Sequence, residues 1–424
     1  MVDAAKGFLK DGNKNRLRAQ DIHRIVDTFT RERDVPRFAR MVPLAEIAAN
    51  DFNLNLPRYI DSTDPEDLQD IDAHLRGGIP DRDLDALSAY WDVLPAVRAA
   101  LFTSAGRPGY RALTLPVAEI KAAIFGHPEF AAFNATVTAR FDQWQAQSRP
   151  ALHAITPGDH PKELIAALAE SLLATFTDAP LLDPYDIYQR LMDFWESQMQ
   201  DDLYLLVQEG WRALLDGKPN TDLIPPSLIA AREFAAAQED IARLDADRDA
   251  ITRQMEELDE EHGGEDGPLA EAKNEKGKLT KISVKARLKA LTQVPMTFAA
   301  PADDADDTVD ERALLTRYAT LLDAEAAASK QAKDAAAALT AQVTARYATL
   351  TECDITALVI EDKWLATLAH AVQSELDRVS QALTGRIREL AERYATPLPQ
   401  LTDEAACLAA RVDAHLKQMG AVWT

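Results

Sequence analysis

Residues 227–262 contain neither proline nor glycine, and their apolar positions repeat with a period of seven. Phe234, Ile241, Arg248 and Met255 form one row, and Ala237, Leu244, Ile251 and Leu258 form its companion. An a/d pattern held over about four heptads predicts a helix that pairs with another helix as a coiled coil. At ~1.5 Å per residue such an arm would reach roughly 50 Å. The run His262-Gly263-Gly264-Glu265-Asp266-Gly267-Pro268 ends it, as glycine and proline do at a helix C-terminus. Residues 302–396 are again free of proline, with Gly385 their one glycine. Leu315, Leu322, Ser329, Ala336, Val343 and Leu350 fall on a single heptad row, and the many alanines allow a second helix to approach closely. The two segments are predicted to fold back on each other as an antiparallel hairpin.

Further rows follow. Leu365, Val372 and Val379 are seven apart, as are Leu376, Leu383 and Leu390. Residues 396–399 (TPLP) turn the chain into a last helix, with Leu401, Ala405, Leu408, Val412, Leu416 and Met419 on one face. Residues 84–215 read differently, as short helices between proline turns, with Trp91, Trp144, Trp195 and Trp211 marking a compact core. Within them Leu191, Trp195, Leu203 and Val207 keep helical spacing. Gly77, Gly78, Ile79 and Pro80 break the chain after an acidic stretch, 61–72, that reads as exposed. The expected fold is mainly α. Its parts are the tail of an α/β domain at 1–62, a helical domain at 63–221, helical arms at 222–350 with their tip at 264–311, and C-terminal helices at 351–424.

A chain of 424 residues with 47% apolar content supports two or three domains. No run approaches the ~18 apolar residues that a membrane helix requires, and no secretory leader is recognisable. Cys353 and Cys407 form no disulfide or metal framework; both are expected to be small core fillers in a protein of the reducing cytoplasm. The net charge of −23 repels a polyanion overall, so contact with nucleic acid requires a local concentration of cations. One exists. Lys273, Lys276, Lys278, Lys281, Lys285, Arg287 and Lys289 stand against a single acid, Glu275, for a net +6 in seventeen residues. They lie between the two arms. Contact with DNA phosphates is one reading; a solvated linker offsetting the acids Asp303, Asp304, Asp306, Asp307, Asp310 and Glu311 is the other. Lys14, Arg16 and Arg58 are further candidates for phosphate contact.

The remaining motifs exclude chemistry more than they suggest it. Residues 11–15 (DGNKN) open like a calcium loop, but Arg16 and Ile22 stand where that loop needs glycine and glutamate. Hence 10–16 is expected to be a polar surface loop. The eight histidines show no zinc or metalloprotease spacing. Asp159-His160 lacks a nucleophile elbow to complete a triad, and neither Gly77-Gly78 nor Gly263-Gly264 forms a phosphate loop.

Several segments, taken in order, resemble the modification subunit of type I restriction-modification systems downstream of its catalytic motifs. They are 11–18 (DGNKNRLR), 51–61 (DFNLNLPRYID), 77–91 (GGIPDRDLDALSAYW), 183–211 (containing PYDIYQRLMDFW and MQDDLYLL), 222–234 and 383–401 (LTGRIRELAERYATPLPQL). Such subunits are adenine-N6 DNA methyltransferases. The resemblance implies that the intact subunit uses S-adenosylmethionine and works with a specificity subunit, a second modification subunit, restriction subunits and DNA. It also implies that the C-terminal helices pack against the specificity subunit, which makes Leu365, Val372, Leu376, Val379, Leu383 and Leu390 the expected packing positions. The family holds its flipped adenine with an Asn-Pro-Pro-aromatic motif; this chain has no Asn-Pro-Pro, and its one Pro-Pro, Pro225-Pro226, follows Ile224. A separate or truncated C-terminal portion that binds no cofactor alone is therefore expected. The heptads by themselves would also suit a free-standing coiled-coil scaffold with no DNA role.

Overall fold

The computed structural model describes residues 1–63, 66–264, 267–293 and 302–419, without the side chains of 293 and 302–310. The chain is mainly helical. Its helices of ten residues or more, in chain order, are α1 (Ala19–Thr30), α2 (Pro128–His153), α3 (Pro161–Phe176), α4 (Pro184–Phe194), α5 (Gln200–Glu209), α6 (Ala235–His262), α7 (Lys281–Gln293), α8 (Ala302–Tyr347), α9 (Ala366–Arg393) and α10 (Leu398–Gln418). Two compact units result, one built from Met1–Gly210 with Ile360–Thr424, the other from Trp211–Val359.

The core of the first unit is made by α2, α3, α4 and α9. Helix α2 begins on Pro128, whose missing N–H costs nothing in the first turn, with the His127 ring accepting from Glu129 N at 3.2 Å. Its buried face, Phe130, Phe133, Val137, Phe141, Trp144, Ser148 and Leu152, follows the helical period of three and four. Trp144 is 1% exposed and donates its Nε1–H to Ser171 Oγ on α3 at 2.9 Å. Burying an indole is favourable only if its N–H keeps a partner. Between α4 and α5 lies a π-helical turn, Trp195–Met199. The extra residue there re-aims the buried side chains of α5, so the expected single row from Leu191 to Val207 runs across two helices.

Strands are few and short. β1 (Leu9–Asp11) and β2 (Lys14–Arg16) form an antiparallel hairpin closed by Gly12 and Asn13. Gly12 sits at φ +59°, the left-handed conformation that a two-residue hairpin turn needs. The expected surface loop is therefore a hairpin. β3 (Ile79–Pro80), β4 (Phe102–Ser104) and β5 (Tyr110–Leu113) make a second antiparallel sheet in the order β3-β5-β4. The acidic stretch 61–72 does not simply face water: Asp67 is clamped by Arg386 and Arg393 of α9.

In the second unit α6 and α8 run side by side in opposite directions. Arg346, near the end of α8, pairs with Glu233, just before α6, at 2.5 Å. Tyr318, early in α8, senses the charges of Asp259 and Glu256, late in α6. All eight heptad residues, seven on α6 and Phe234 just before it, are half-buried or buried, as are Asp245, Ala250, Thr252, Asp259 and His262, with Leu258 at 5% exposure the deepest. On α8 the strict row slips: Ala336 is exposed, while Ala332 and Val343, eleven apart, are buried. A helix of 3.6 residues per turn drifts off a seven-residue repeat by about 20° per heptad, so an eleven-residue spacing takes over. The stretch expected to be an acidic loop is the helical start of α8. The side chains of Asp303, Asp304, Asp306, Asp307 and Asp310 lie outside the described residues. Glu311, read as solvated, is buried.

Candidate interaction surfaces

The basic segment folds into a tight loop followed by α7. In the loop Asn274 Oδ1 accepts from Lys276 N and Lys278 N, both at 3.0 Å, and Gly277 takes φ +71°. Thr280 then caps α7 with Ser283: Thr280 N donates to Ser283 Oγ at 3.0 Å, and Ser283 N donates to Thr280 Oγ1 at 3.2 Å. The seven cations separate into two groups. Lys273 is paired with Asp259 of α6 at 2.7 Å, and Lys281 with Asp323 of α8. Arg287 holds Glu311 in a bidentate pair at 2.7 and 3.0 Å and also meets Glu271, which raises its pKa further. Lys276, Lys278, Lys285 and Lys289 are exposed. Beneath this layer Leu258, Leu269, Ala272, Leu279, Val284, Leu315 and Tyr318 form a closed apolar cluster. Loop and helix are thus folded structure rather than linker.

Lys14 and Arg16 lie on β2 and Arg58 in the short 3-10 turn Leu56–Arg58; all three are exposed. All three belong to the first unit, and the basic segment belongs to the second.

Helix α1 is inside-out. Its buried residues are polar: Gln20, Asp21, Asp27 and Thr28. Gln20 donates from its backbone N to Gln189 Oε1 at 2.9 Å and from Nε2 to Asp186 Oδ1 at 2.8 Å, and Tyr185 donates its hydroxyl to Asp27 at 2.7 Å. Burial, and after it that bond, push the Tyr185 hydroxyl up to about 12. The apolar face of the same helix looks outward, with Ile22 52%, Val26 55% and Phe29 75% exposed. Leu9, Leu17, Met41, Leu44, Phe52, Leu54 and Leu68 are exposed nearby in sequence. The sequence carried a signal for this surface, the i, i+4, i+7 spacing of Ile22, Val26 and Phe29. It did not reveal that the opposite, polar face is the one turned inward.

The polar face of α1 borders a cleft of about 610 Å³ between α1, α4 and α9. Two of its lining residues hold a buried carboxylate: Glu375, 1% exposed, accepts from Arg190 at 3.1 Å and from Arg378 at 2.8 Å, and Arg378 continues to Asp186 at 3.1 Å. Burial pushes the Glu375 carboxyl up, but the two guanidiniums outweigh it, and its pKa is lowered. A carboxyl depressed in the folded state contributes stability that is present above its unfolded value and is lost as pH falls through the folded one. The first unit is accordingly expected to lose stability below about pH 4.3, the ordinary glutamate value. In Glu375→Gln that acid limb should be shallower in circular-dichroism melts between pH 3 and 7; an unchanged limb would assign the acid sensitivity to other carboxylates. A second buried network joins Asp202 of α5 to Lys363 Nζ and Trp364 Nε1, both at 2.8 Å.

The expected packing residues of α9 lie in the chain's own core. Leu365, Val372, Leu376, Val379, Leu383 and Leu390 are between 0% and 7% exposed. They face α2, α4 and the short helix Ile120–Phe125, which are what the amphipathic stripe of α9 covers, so that stripe is not a free surface. Helix α10 is the reverse: none of its residues is buried, and Leu398, Leu401, Leu408 and Val412 are about half exposed. Cys353 and Cys407, expected to fill core, are exposed; each sits on the solvent side of its helix. Asp159 and His160 line a shallow cavity of about 320 Å³, where the Asp159 carboxylate is engaged with Thr156 N at 2.7 Å and Thr156 Oγ1 at 3.2 Å. It closes a turn rather than orienting a base. Among the described residues, no group of His, Cys, Asp or Glu is placed to hold a metal, and no helix is long and apolar enough to cross a membrane.

The N-6 DNA methylase family matches residues 1–68. Among curated proteins, the type I restriction enzyme MjaVII methylase subunit of Methanocaldococcus jannaschii is 41% identical over 58 residues, which is 14% of this chain and 10% of that protein. The aligned part is thus a small fraction of the relative's length. No solved structure matches the chain. These matches support a methylase relationship through the segment that holds the β1–β2 hairpin and the inside-out helix α1.

Proposed function

We propose that this chain is a region of a type I N-6 DNA methylase subunit whose own task is assembly. The observation that carries this is the orientation of α1. A helix inside the family-matched segment turns its polar face into its own unit and exposes Ile22, Val26 and Phe29. Clustered apolar exposure on that scale marks a surface that another protein surface covers. In this reading the covering surface is the remaining methylase fold, which supplies the S-adenosylmethionine site and the adenine-binding motif. The apolar face of α10 then meets the specificity subunit, and the complex as a whole engages DNA, a second methylase subunit and restriction subunits. A standard interface of roughly 1,600 Å² at ~25 cal/mol per Å² gives ample gross stabilisation before association costs are subtracted.

The pairing of α6 with α8 favours a second reading, a coiled-coil scaffold with no DNA role. The two separate in one experiment. The full chain is co-expressed with the methylase polypeptide and the specificity subunit, and the recovered complex is titrated with S-adenosylmethionine by calorimetry. Val26→Asp with Phe29→Asp should abolish co-purification while leaving the helical circular-dichroism signal intact, because both residues are already in water. Recovery of that variant at wild-type yield would remove α1 from the interface and leave the scaffold reading.

A further inference from the structure

We infer that α7 and the loop before it form a duplex-DNA backbone contact carried by four lysines, Lys276, Lys278, Lys285 and Lys289, the other three cations of the segment being structural. This inference rests on the proposed function for the choice of DNA as the polyanion. What the structure adds is a division that the sequence could not make.

The structural group is defined by its partners. Lys273, Lys281 and Arg287 reach back to Asp259, Asp323 and Glu311, three acids on the two long helices. Arg287 is the most committed, because Glu311 is buried and both carboxylate oxygens are engaged. Removing it would leave a buried carboxylate uncompensated. These ion pairs fasten the loop and α7 to α6 and α8. They engage Lys273 and Arg287 more fully than Lys281, whose pair with Asp323 is half exposed.

The remaining four lysines are exposed, with Lys285 also within electrostatic reach of Asp323. Lys276 and Lys278 flank Gly277 in the loop held by Asn274. Lys285 and Lys289 are one helical turn apart on α7, so their Cα atoms are separated by about 6 Å along the helix axis. The anchoring therefore presents cations in a row on a rigid element, with the loop pair close by in sequence. Lysine acts on a phosphate as a point charge without demanding bidentate geometry. No aromatic side chain occurs among residues 269–292, so base stacking is not available there and the contact is to the backbone of a duplex. Charge complementarity selects the occupant: these residues belong to a segment of net +6 in seventeen residues within a chain of net charge −23. That arrangement orients the arm on a duplex without giving it sequence preference.

The test uses the full chain and a fluorescein-labelled 30-base-pair duplex, read by anisotropy between 50 and 200 mM salt. It is run on the chain alone and on its complex with the methylase and specificity subunits. Lys276→Gln, Lys278→Gln, Lys285→Gln and Lys289→Gln are combined in one variant. Lys330→Gln with Lys333→Gln serves as a control on exposed lysines elsewhere on α8. Loss of four phosphate contacts should reduce the slope of log K against log salt by about 3 to 4 and weaken binding at least tenfold at 50 mM salt. The control pair should bind as wild type. Unchanged affinity and slope in the fourfold variant, or a wild-type chain that binds no duplex in either setting, would overturn the inference. If the complex assembles but the fourfold variant binds DNA normally, this inference falls and the assembly reading stands. If no complex forms yet the chain alone binds DNA through these lysines, the reverse holds.

Discussion

Asp202→Ala is expected to destabilise the first unit by about 3–5 kcal/mol, the penalty for breaking one half of a buried ion pair. Asp202 is 5% exposed and Lys363 8%, and the carboxylate is the acceptor for both Lys363 Nζ and Trp364 Nε1 at 2.8 Å. Truncating it takes the carboxylate away from a buried ammonium and a buried indole N–H and opens a cavity beside them. Burial raises the Asp202 pKa in spite of both donors, which means that pairing does not fully offset desolvation. The double replacement Asp202→Leu with Lys363→Met should therefore recover most of the loss, since a well-packed apolar pair can equal or exceed a buried ionic one. Thermal melts followed at 222 nm, with limited proteolysis to assign the transition to the first unit, give the ordering wild type, double variant, single variant. A single variant that melts with the wild type would show water reaching Lys363. The double variant melting as low as the single one would give the pair a role in fixing the packing of α5 beyond its charge.

The sequence made the helical class legible, because period-seven apolar rows are read without knowing what they face. The rows on α6 fall among its half-buried and buried residues, and the row on α9 falls within its buried stripe. What covers a stripe is another matter. Leu376 and Leu383 have the spacing an interface helix would have, and only the positions of α2 and α4 show that the stripe is satisfied within the chain. On α1 the same ambiguity runs the other way. Ile22, Val26 and Phe29 look like an ordinary core face until Gln20 and Asp27 are seen bonded to Asp186 and Tyr185. Partners distant in sequence were not legible either: Glu375 with Arg190, Asp67 with Arg386 and Arg393, and the partition of the seven cations all depend on contacts that composition cannot rank. The candidate basic segment was legible as a charge excess, but which of its cations form ion pairs was not. The hairpin at 9–16 was misread because Gly12-Asn13 was weighed as part of a calcium loop rather than as a two-residue turn.

Helices α9 and α10 are expected to respond oppositely to substitution. Leu376→Ala and Leu383→Ala should each cost the isolated chain about 2–5 kcal/mol, since both are almost wholly buried and truncation adds a cavity to the lost transfer energy. Association with partner subunits should fall only in proportion to the folded fraction. Leu401→Asp, Leu408→Asp and Val412→Asp together change side chains that are already half exposed, so each should alter folding by roughly 0.5 kcal/mol or less. Recovery of the specificity subunit in a pull-down should nonetheless be lost, because an apolar helix face that meets a second surface cannot bury three carboxylates without pairing them. The two measurements are independent. Melting midpoints read the intrachain role, and pull-down yields corrected for folded protein read the interchain one. If the α10 variant melts far below wild type, that face is covered within the chain in solution. If it melts normally and still recovers the specificity subunit, the apolar stripe of α10 is idle and assembly rests on α1 alone.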